Sequence, residues 1–451
     1  MKPVYQLMAE AGEPFDPNAF LPAVTAYYST ADGKMLSLPF NSTTAITYWN
    51  KDAFKKAGLD PDKAPKTWPD TLATAQKLRA ARITCGLTAG WISWTQIEQF
   101  SAWYNIPLAT KANGLEGADA ELEFNNPVVA KHIRNLAEAQ KDKSFDYGGR
   151  TSEPGGKFLN GECGMIQTSS AAYGIFKAGA KFDFGLAELP YYPDVAGAPQ
   201  NSIIGGASLW VMGGKKPEEY QGVAKFFTFL SQTDLQQRLH EETGYLPITK
   251  AAYEATKASG FYEKNPAREI PVIQMTAKPP TANSRGLRLG NLVQIRDIIA
   301  EDFEAVFAGK VDAQTALDDA VNRGNALLRQ FERNTQQYPR VRCSADGAAS
   351  RLSRLAGSGT IAGAPACRDL RLLLLAGSTG DPAVGEARGR LWFVGALCRA
   401  RQFRRSLRRS GLPGFGRGHP RVQPRRRLSG VDLRAAVCRH GRQGCARRAL
   451  L

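Results

Sequence analysis

Apolar and polar positions follow two periods along this chain, one typical of buried strands and one typical of amphipathic helices. The most apolar segment, residues 203–212, reads Ile-Ile-Gly-Gly-Ala-Ser-Leu-Trp-Val-Met and predicts a buried strand entered through two adjacent glycines. Glycine at these positions would let another group approach the backbone closely. After this segment, apolar residues recur on one face at helical spacing, so a helix is predicted from Pro217.

The same two periods alternate through residues 1–337. Thr67 stands directly before a helical pattern and is predicted to cap that helix. Helices that alternate with short strands indicate an α/β fold. Strands are predicted over residues 45–49, 85–88 and 161–167, and helices over residues 50–58, 128–140, 292–306 and 313–331 and from residues 68 and 217.

Charge is distributed unevenly between the two ends of the chain. The 451 residues carry a net charge of +17, which by itself favours a nucleic-acid or membrane-surface partner. Residues 338–451 contain 24 arginines, no lysine and five acidic residues, a net charge of +19, which leaves −2 for residues 1–337. The longer part of the chain is therefore not basic, and the chain is long enough for two or more domains.

Three explanations of the arginine-rich tail, residues 338–451, stay open. Arginine without lysine, five of the seven cysteines and no sustained helical or strand period are what a GC-rich gene gives when it is read in the wrong frame. A disordered basic extension is the second explanation. The third is a nucleic-acid-binding arm, whose affinity would fall steeply with salt.

The titratable residues outside the tail form no catalytic or metal-binding pattern. His132 lies off the apolar stripe of its predicted helix and is expected to be solvated, and the four histidines lack metal-ligand spacing. Cys85 and Cys163 could pair after export or remain two buried thiols. The chain has no serine-nucleophile motif, phosphate-binding loop or dinucleotide fingerprint. Neither an enzyme nor a cofactor or metal is therefore predicted.

Four short motifs resemble those of one family of binding proteins. They are the glycine pair at residues 205–206, Pro-Phe-Asn-Ser-Thr at 39–43, Gly-Tyr-Leu-Pro-Ile at 244–248 and Gly-Leu-Arg-Leu-Gly-Asn at 286–291. Over residues 1–337 the chain resembles the extracellular solute-binding proteins of ABC importers, in particular the periplasmic branch that binds sn-glycerol 3-phosphate. The resemblance implies a two-lobe periplasmic-binding-protein fold, similar to type II, with the ligand held between the lobes.

Each lobe is expected to consist of separate chain segments. The resemblance places residues 1–45 and 206–277 in the first lobe and residues 46–205 and 278–337 in the second. Relative to the family, the chain starts inside the first lobe, so the export signal and the first elements of that lobe are expected to be absent. Residues 1–13 lack the apolar core and cleavage site of a signal peptide, and no apolar run approaches the length of about 18 residues that spans a bilayer. The family is periplasmic, and the export of this particular chain stays open.

The resemblance also implies a ligand site. The family's ligand-contacting positions correspond here to Thr43, Ser169, Gly206, Tyr245 and Arg296, and its cleft aromatics correspond to Trp91 and Trp94. Hydroxyl groups, a close backbone N–H and a cation suit a small phosphorylated polyol. The family has serine at position 43, and the extra methyl group of threonine could change the affinity. The family's tyrosine and glutamate contacts from the first lobe are expected to lie in the part that this chain lacks.

The residue types at these positions can be interpreted without the resemblance. Residues 168–170 predict a helix N-terminus, where free N–H groups and the helix dipole can hold a phosphate, although a cap without a ligand is more common. Trp91 and Trp94 suit either a core or a ligand cleft. Arg296 lies beside an apolar stripe, where most arginines are surface residues, yet its planar fork could hold two phosphate oxygens. Its removal is expected to leave the unliganded protein stable.

The predicted function is that of a solute-binding component of an ABC importer. It would capture sn-glycerol 3-phosphate, or a glycerophosphodiester, and deliver it to the membrane permease subunits, acting as a monomer. An oligosaccharide-binding protein of the same fold is the alternative within the family. Nucleic-acid binding through the basic tail is the alternative from another class, and no nucleic-acid partner is expected for the rest of the chain.

Overall fold

A computed structural model describes residues 1–30 and 32–336 of this protein. The arginine-rich tail, residues 338–451, lies outside the described residues. Within them, helices alternate with short strands, so the predicted α/β class is confirmed.

The strands form two small sheets. One pairs β1 antiparallel with β6. The other has the order β3-β4-β2-β5, in which β3 is parallel to β4 and β2 is antiparallel to both of its neighbours. The strands are β1 Leu38–Thr43, β2 Ala45–Asn50, β3 Cys85–Ala89, β4 Cys163–Ser169, β5 Phe184–Ala187 and β6 Gly205–Leu209.

The helices begin where the predicted caps place them. The Thr67 side chain accepts a hydrogen bond from the Asp70 amide at 3.2 Å, and Pro217 is the first residue of its helix. No helix in the described ranges combines the length and apolarity needed to cross a membrane. The helices are α1 Val4–Ala11, α2 Pro22–Tyr28, α3 Lys51–Lys56, α4 Trp68–Ala80, α5 Gln99–Trp103, α6 Thr110–Gly114 (a turn whose central residues are left-handed), α7 Pro127–Lys141, α8 Pro154–Leu159, α9 Tyr173–Gly179, α10 Pro217–Leu230, α11 Thr233–Glu242, α12 Lys250–Ala258, α13 Phe261–Lys264, α14 Ile270–Thr276, α15 Leu292–Phe307 and α16 Ala313–Gln336.

Two large apolar cores divide the described chain. The first core takes buried residues from segments 4–38 and 204–275. The second core takes them from segments 45–203 and 287–328. The neighbours Ile203 and Ile204 belong to different cores, so the chain crosses between the cores at this point. This division supports the expectation of discontinuous lobes, whose boundaries remain a prediction.

In the apolar run over residues 203–212, the buried residues and the strand do not coincide. Ile203 and Ile204 are buried, but β6 ends at Leu209 and Trp210 is 43% exposed. A strand does lie within the run, but no residue of β6 is buried and the buried Ile203 and Ile204 precede it, so the prediction of a buried strand was wrong. Within the described residues, β6 pairs with β1 alone, and a two-stranded sheet can cover little apolar surface.

Cys85 and Cys163 form a disulfide. They face each other across the parallel strands β3 and β4, with their Cα atoms 4.5 Å apart. Of the two states that the sequence allowed, the structure therefore contains the paired one. The bond joins the starts of two strands whose other ends lead to Trp91 and Ser169.

Candidate ligand-binding site

Two strand ladders meet where the chain crosses between the cores. Thr43, the last residue of β1, pairs with Gly205 of β6. Ala45, two residues later, pairs with Ser169 at the end of β4. Two of the predicted ligand residues, Thr43 and Ser169, are thereby brought together from different cores.

The two glycines of β6 are required by the structure around them. A Cβ atom on Gly205 would lie 2.6 Å from the ring of Trp94, so glycine lets this ring pack on the strand. Gly206 has a φ of +98°, and a Cβ atom there would lie 1.8 Å from the carbonyl oxygen of Asn41. The structure therefore requires glycine for packing and for the backbone conformation, and access for a ligand stays a prediction. A ligand contact through the Gly206 amide remains a prediction.

The turn that carries Tyr245 packs against the end of β4. A Cβ atom on Gly244 would lie 2.1 Å from the carbonyl oxygen of Ser170. On the other side, the Leu246 amide donates to the carbonyl of Ser42 at 2.8 Å. Tyr245 itself is half-buried. The third predicted hydroxyl residue therefore joins the other two at the crossing.

Ser169 caps the segment that follows β4, as predicted. Its Oγ atom accepts a hydrogen bond from the Ala171 amide at 3.2 Å. The turn Ser170–Ala172 then leads into α9. Because a hydroxyl group can accept and donate at the same time, Ser169 can also donate its proton to an anionic oxygen.

Trp91 and Trp94 lie in the tight turn that follows β3. Trp91 is half-buried with a φ of +56°, and its amide donates to the carbonyl of Thr151 at 2.7 Å. Trp94 is buried and begins a π-helical turn, Trp94–Glu98, a rare geometry that often occurs at functional sites. Trp94 belongs to the second core and also contacts Gly205 of β6, whereas the half-buried Trp91 packs against the second core.

Arg296 of α15 makes a bidentate ion pair with Glu98. The Nε and Nη2 groups of the arginine donate to the two carboxylate oxygens, both at 2.6 Å. The Glu98 side chain is 2% exposed and the Arg296 side chain 23%. Burial acts to lower the pKa of Arg296, but the charge and hydrogen bonds of Glu98 raise this pKa above its ordinary value. Glu98 ends the turn that Trp94 begins, so Arg296 is tied to the turn that carries Trp94.

This ion pair changes the expectation for Arg296. Loss of the Arg296 side chain would leave the Glu98 carboxylate buried without its partner, which is strongly destabilising. The ion pair occupies Nε and Nη2, so the Nη1 group remains available for another acceptor. Sequence reasoning missed Glu98, although a single acidic residue in the segment Ile-Glu-Gln-Phe at 97–100 is a signal of a buried partner.

Tyr27 of α2 is a second neighbour that sequence reasoning missed. Its ring packs on Gly286, where a Cβ atom would lie 2.5 Å from the ring. Burial raises the pKa of Tyr27 to about 12; the charge of Arg296 opposes this rise and the charge of Glu98 adds to it. A neutral phenol from the first core therefore lies near the ion pair of the second core. Nothing in the spacing around Tyr27 distinguishes it from an ordinary core residue.

His132 is buried, so the prediction of a solvated residue was wrong. Its ring stacks on Phe100 at 4.3 Å between centroids. Its Nε2 group lies 2.8 Å from Oε1 of Gln96, whose Nε2 donates to Oε1 of Gln167 at 2.8 Å. Burial lowers the pKa of His132 to about 3. Its polar partner Gln96 comes from the π-helical turn and is itself bound to Gln167 of β4, which helical spacing alone cannot reveal.

We expect acid to destabilise the protein partly through His132. Because its pKa in the folded state is lowered from 6.5 to about 3, the unfolded state binds a proton first as the pH falls below about 6.5. Stability is present above that pH and is lost on the way down to pH 3, by roughly 2–3 kcal/mol at pH 4.5. Denaturant unfolding at pH 7 and 4.5 measures this loss. His132→Gln should reduce the loss by about that amount, and an equal loss in both proteins would contradict the assignment.

Comparison with known proteins identifies the class to which this arrangement belongs. A family profile described as bacterial extracellular solute-binding protein matches residues 4–270. The chain belongs to this family. Among the relatives of this solute-binding protein, the sn-glycerol-3-phosphate-binding periplasmic protein UgpB of Pectobacterium atrosepticum is 52% identical over 337 residues, which cover 74% of this chain and 76% of the relative. The protein of the same name from Brucella abortus is 52% identical over 328 residues, which cover 72% and 75%.

Solved structures of lower identity share the fold of this solute-binding protein. UgpB from Mycobacterium tuberculosis in complex with glycerophosphocholine matches with a TM-score of 0.59 at 21% identity, over 73% of this chain and 79% of that one. The cyclic alpha-maltosyl-1,6-maltose binding protein from Arthrobacter globiformis matches with a TM-score of 0.58 at 24% identity, over 70% and 78%. The predicted two-lobe fold is thereby confirmed. The family assignment also confirms that this is a binding protein and not an enzyme.

Proposed function

We propose that this protein is the solute-binding component of an ABC importer and captures sn-glycerol 3-phosphate between its two lobes. Relatives that are 52% identical over most of the chain are named for binding this compound. The observation that carries the proposal is the convergence of the predicted residues on the crossing between the cores. Thr43, Ser169 and the Tyr245 turn meet there, and Trp94 packs on the same strand that carries Gly206.

The chemistry of these residues fits a phosphorylated polyol. Three side-chain hydroxyl groups can exchange hydrogen bonds with the polyol, and an indole face can pack against its carbon skeleton. We assign the phosphate to Arg296, because charge-assisted hydrogen bonds to phosphate oxygens are stronger and shorter than neutral ones. Glu98 uses Nε and Nη2 and thereby fixes the guanidinium plane. The fixed plane presents Nη1 to the ligand with little loss of side-chain entropy on binding.

The proposal includes the cellular compartment and the binding partners of the protein. As in the relatives that are named periplasmic, we place it in the periplasm, and the disulfide between Cys85 and Cys163 suits such an oxidising compartment. Its partners are the ligand and the permease subunits of the importer. We propose that it acts as a monomer and without nucleic acid.

Thermal unfolding of the full chain tests the ligand class. At a hundred times its Kd, sn-glycerol 3-phosphate should stabilise the protein by about 2.7 kcal/mol, which raises Tm by about 4 °C for a folded region of this size. Glycerol at the same concentration should leave Tm unchanged, because it lacks the phosphate. Glycerophosphocholine is included to compare a diester with the monoester. A rise in Tm with maltose and none with sn-glycerol 3-phosphate would favour the oligosaccharide-binding alternative.

A further inference from the structure

Arg268 is a buried cation without an acidic partner in the described residues. Its exposure is 5%, and its turn, Pro266–Arg268, lies between α13 and α14. The ion pairs formed within residues 1–30 and 32–336 do not include it. A buried guanidinium that lacks a carboxylate is costly unless other groups replace water around it. The groups that replace water around Arg268 indicate what the residue does.

The first group consists of backbone carbonyls at the end of α11. Nη2 of Arg268 donates to the carbonyl of His240 at 2.6 Å and also to the carbonyl of Thr243. The last carbonyls of a helix lack partners within the helix and carry the negative end of its dipole, so they stabilise a cation there. Arg268 therefore holds the end of α11 and the first residue of the turn that leads to Tyr245.

The second group is the ring of Tyr173. The Cζ atom of Arg268 lies 4.1 Å from the centroid of this ring, which is within cation–π distance. Tyr173 is the first residue of α9 and follows the Ser170–Ala172 turn that Ser169 caps. One guanidinium thus contacts the segment of Ser169 with its face and the turn of Tyr245 with its edge.

Other hydrogen bonds make the Tyr245 turn rigid. The Thr243 hydroxyl accepts from the Tyr245 amide at 3.0 Å. The Nδ1 group of His240 donates to the Tyr245 carbonyl at 2.7 Å, while its Nε2 accepts from the Tyr262 hydroxyl at 2.9 Å. A turn held in this way moves as a unit, so the contacts that anchor the unit to the Ser169 segment, the packing of Gly244 on Ser170 and the stacking of Arg268 on Tyr173, set the spacing between the two.

We propose that Arg268 is a positioning residue for the ligand site, and that its contact with Tyr173 sets the distance between Tyr245 and Ser169. The two hydroxyl residues come from segments assigned to different predicted lobes, and a ligand that contacts both binds more tightly when less ordering of these segments is required. Arg268 acts through Tyr245 and does not touch the ligand. This inference rests on the proposed function for its effect on affinity, but its effect on the turn can be measured without a ligand.

The test compares Tyr173→Leu with Tyr173→Phe in the full chain. Leucine removes the aromatic face that stacks on the guanidinium, whereas phenylalanine keeps it. In the absence of ligand, amide hydrogen exchange in residues 243–247 should become faster in the leucine variant and stay unchanged in the phenylalanine variant. The Kd for sn-glycerol 3-phosphate should rise about two- to thirtyfold in the leucine variant only.

A second aromatic–cation pair provides the matched control. Nζ of Lys2 lies 4.4 Å from the ring centroid of Tyr220, and both residues belong to the first predicted lobe. Tyr220→Leu and Tyr220→Phe should bind the ligand equally well and show equal exchange in residues 243–247.

Two results would overturn the inference. Equal exchange in residues 243–247 for both Tyr173 variants would show that the stacking does not position the turn, whether or not the parent protein binds sn-glycerol 3-phosphate. Faster exchange with an unchanged Kd in a parent that binds the ligand would show that the position of the turn does not matter for affinity. Failure of the parent to bind, together with faster exchange in the leucine variant, would reject the proposed ligand and retain the positioning role.

Discussion

Arg296→Ala is expected to abolish most of the affinity for sn-glycerol 3-phosphate and to destabilise the unliganded protein. The substitution removes the cation proposed for the phosphate and leaves the Glu98 carboxylate, which is 2% exposed, without its partner. Breaking a buried ion pair in this way costs about 3–5 kcal/mol. Arg296→Lys keeps the charge but loses the planar fork, and should weaken binding about ten- to a hundredfold.

A double variant separates the two effects of Arg296. Adding Glu98→Gln to Arg296→Ala removes the uncompensated charge, so most of the stability should return while the affinity stays low. Arg150→Ala provides a stability control, since Arg150 makes a bidentate pair with Glu304 in which both side chains are 38% exposed, and its loss should cost about 1 kcal/mol or less. Denaturant unfolding beside a ligand titration measures both quantities. If Arg296→Ala binds like the parent, the phosphate has been assigned to the wrong residue.

Removing the disulfide is expected to have the second largest effect. The bond between Cys85 and Cys163 closes a sequence separation of 78 residues, so its loss releases considerable entropy in the unfolded chain. The expected cost for the Cys85→Ala and Cys163→Ala double variant is about 4 kcal/mol of unfolding free energy. Denaturant unfolding at 25 °C measures the cost.

Ligand affinity should change little in the same variant. The bond lies at the starts of β3 and β4, and the strand pairing that continues from Leu87 to Ala89 remains intact near the cleft. A reducing agent provides the control, because it should destabilise the parent and leave the double variant unaffected. A parent that is insensitive to reductant would show that the thiols are unpaired in solution.

Local sequence signals predicted most of the fold. Thr67 and Pro217 mark helix starts through their own chemistry, because a hydroxyl cap and a proline at the first position act within one turn. The apolar stripe after residue 292 predicted the buried face of α15, on which Ile295 and Phe303 lie. These features depend on neighbours in the sequence and are therefore visible without a structure.

The site could be predicted only in part. The resemblance selected Thr43, Ser169 and Tyr245. The strand ladders bring the first two together and the contacts of Gly244 and Leu246 add the Tyr245 turn, but their roles in binding remain predictions. The partners that fix the site were missed because they are distant in sequence. Glu98 meets an arginine of α15, and Arg268 meets the ring that begins α9. Such pairs follow from tertiary packing, which periodicity does not encode.

The burial of His132 also shows that periodicity within one helix does not reveal which distant segments cover a residue. An off-stripe histidine in an isolated helix would be solvated, as predicted. In the folded chain, Gln96 and Phe100 cover it from another segment. The prediction for the apolar run over residues 203–212 failed for the complementary reason, because hydrophobicity does not show how many strands cover a strand.

The central claim is that the cleft between the two cores recognises a phosphorylated polyol, and isothermal titration calorimetry of the full chain tests it most directly. We predict that sn-glycerol 3-phosphate binds saturably with one site per chain, and that glycerol gives no binding heat at the same concentrations. Saturable binding of glycerol with equal affinity, or of maltose in the absence of any binding of sn-glycerol 3-phosphate, would contradict the claim.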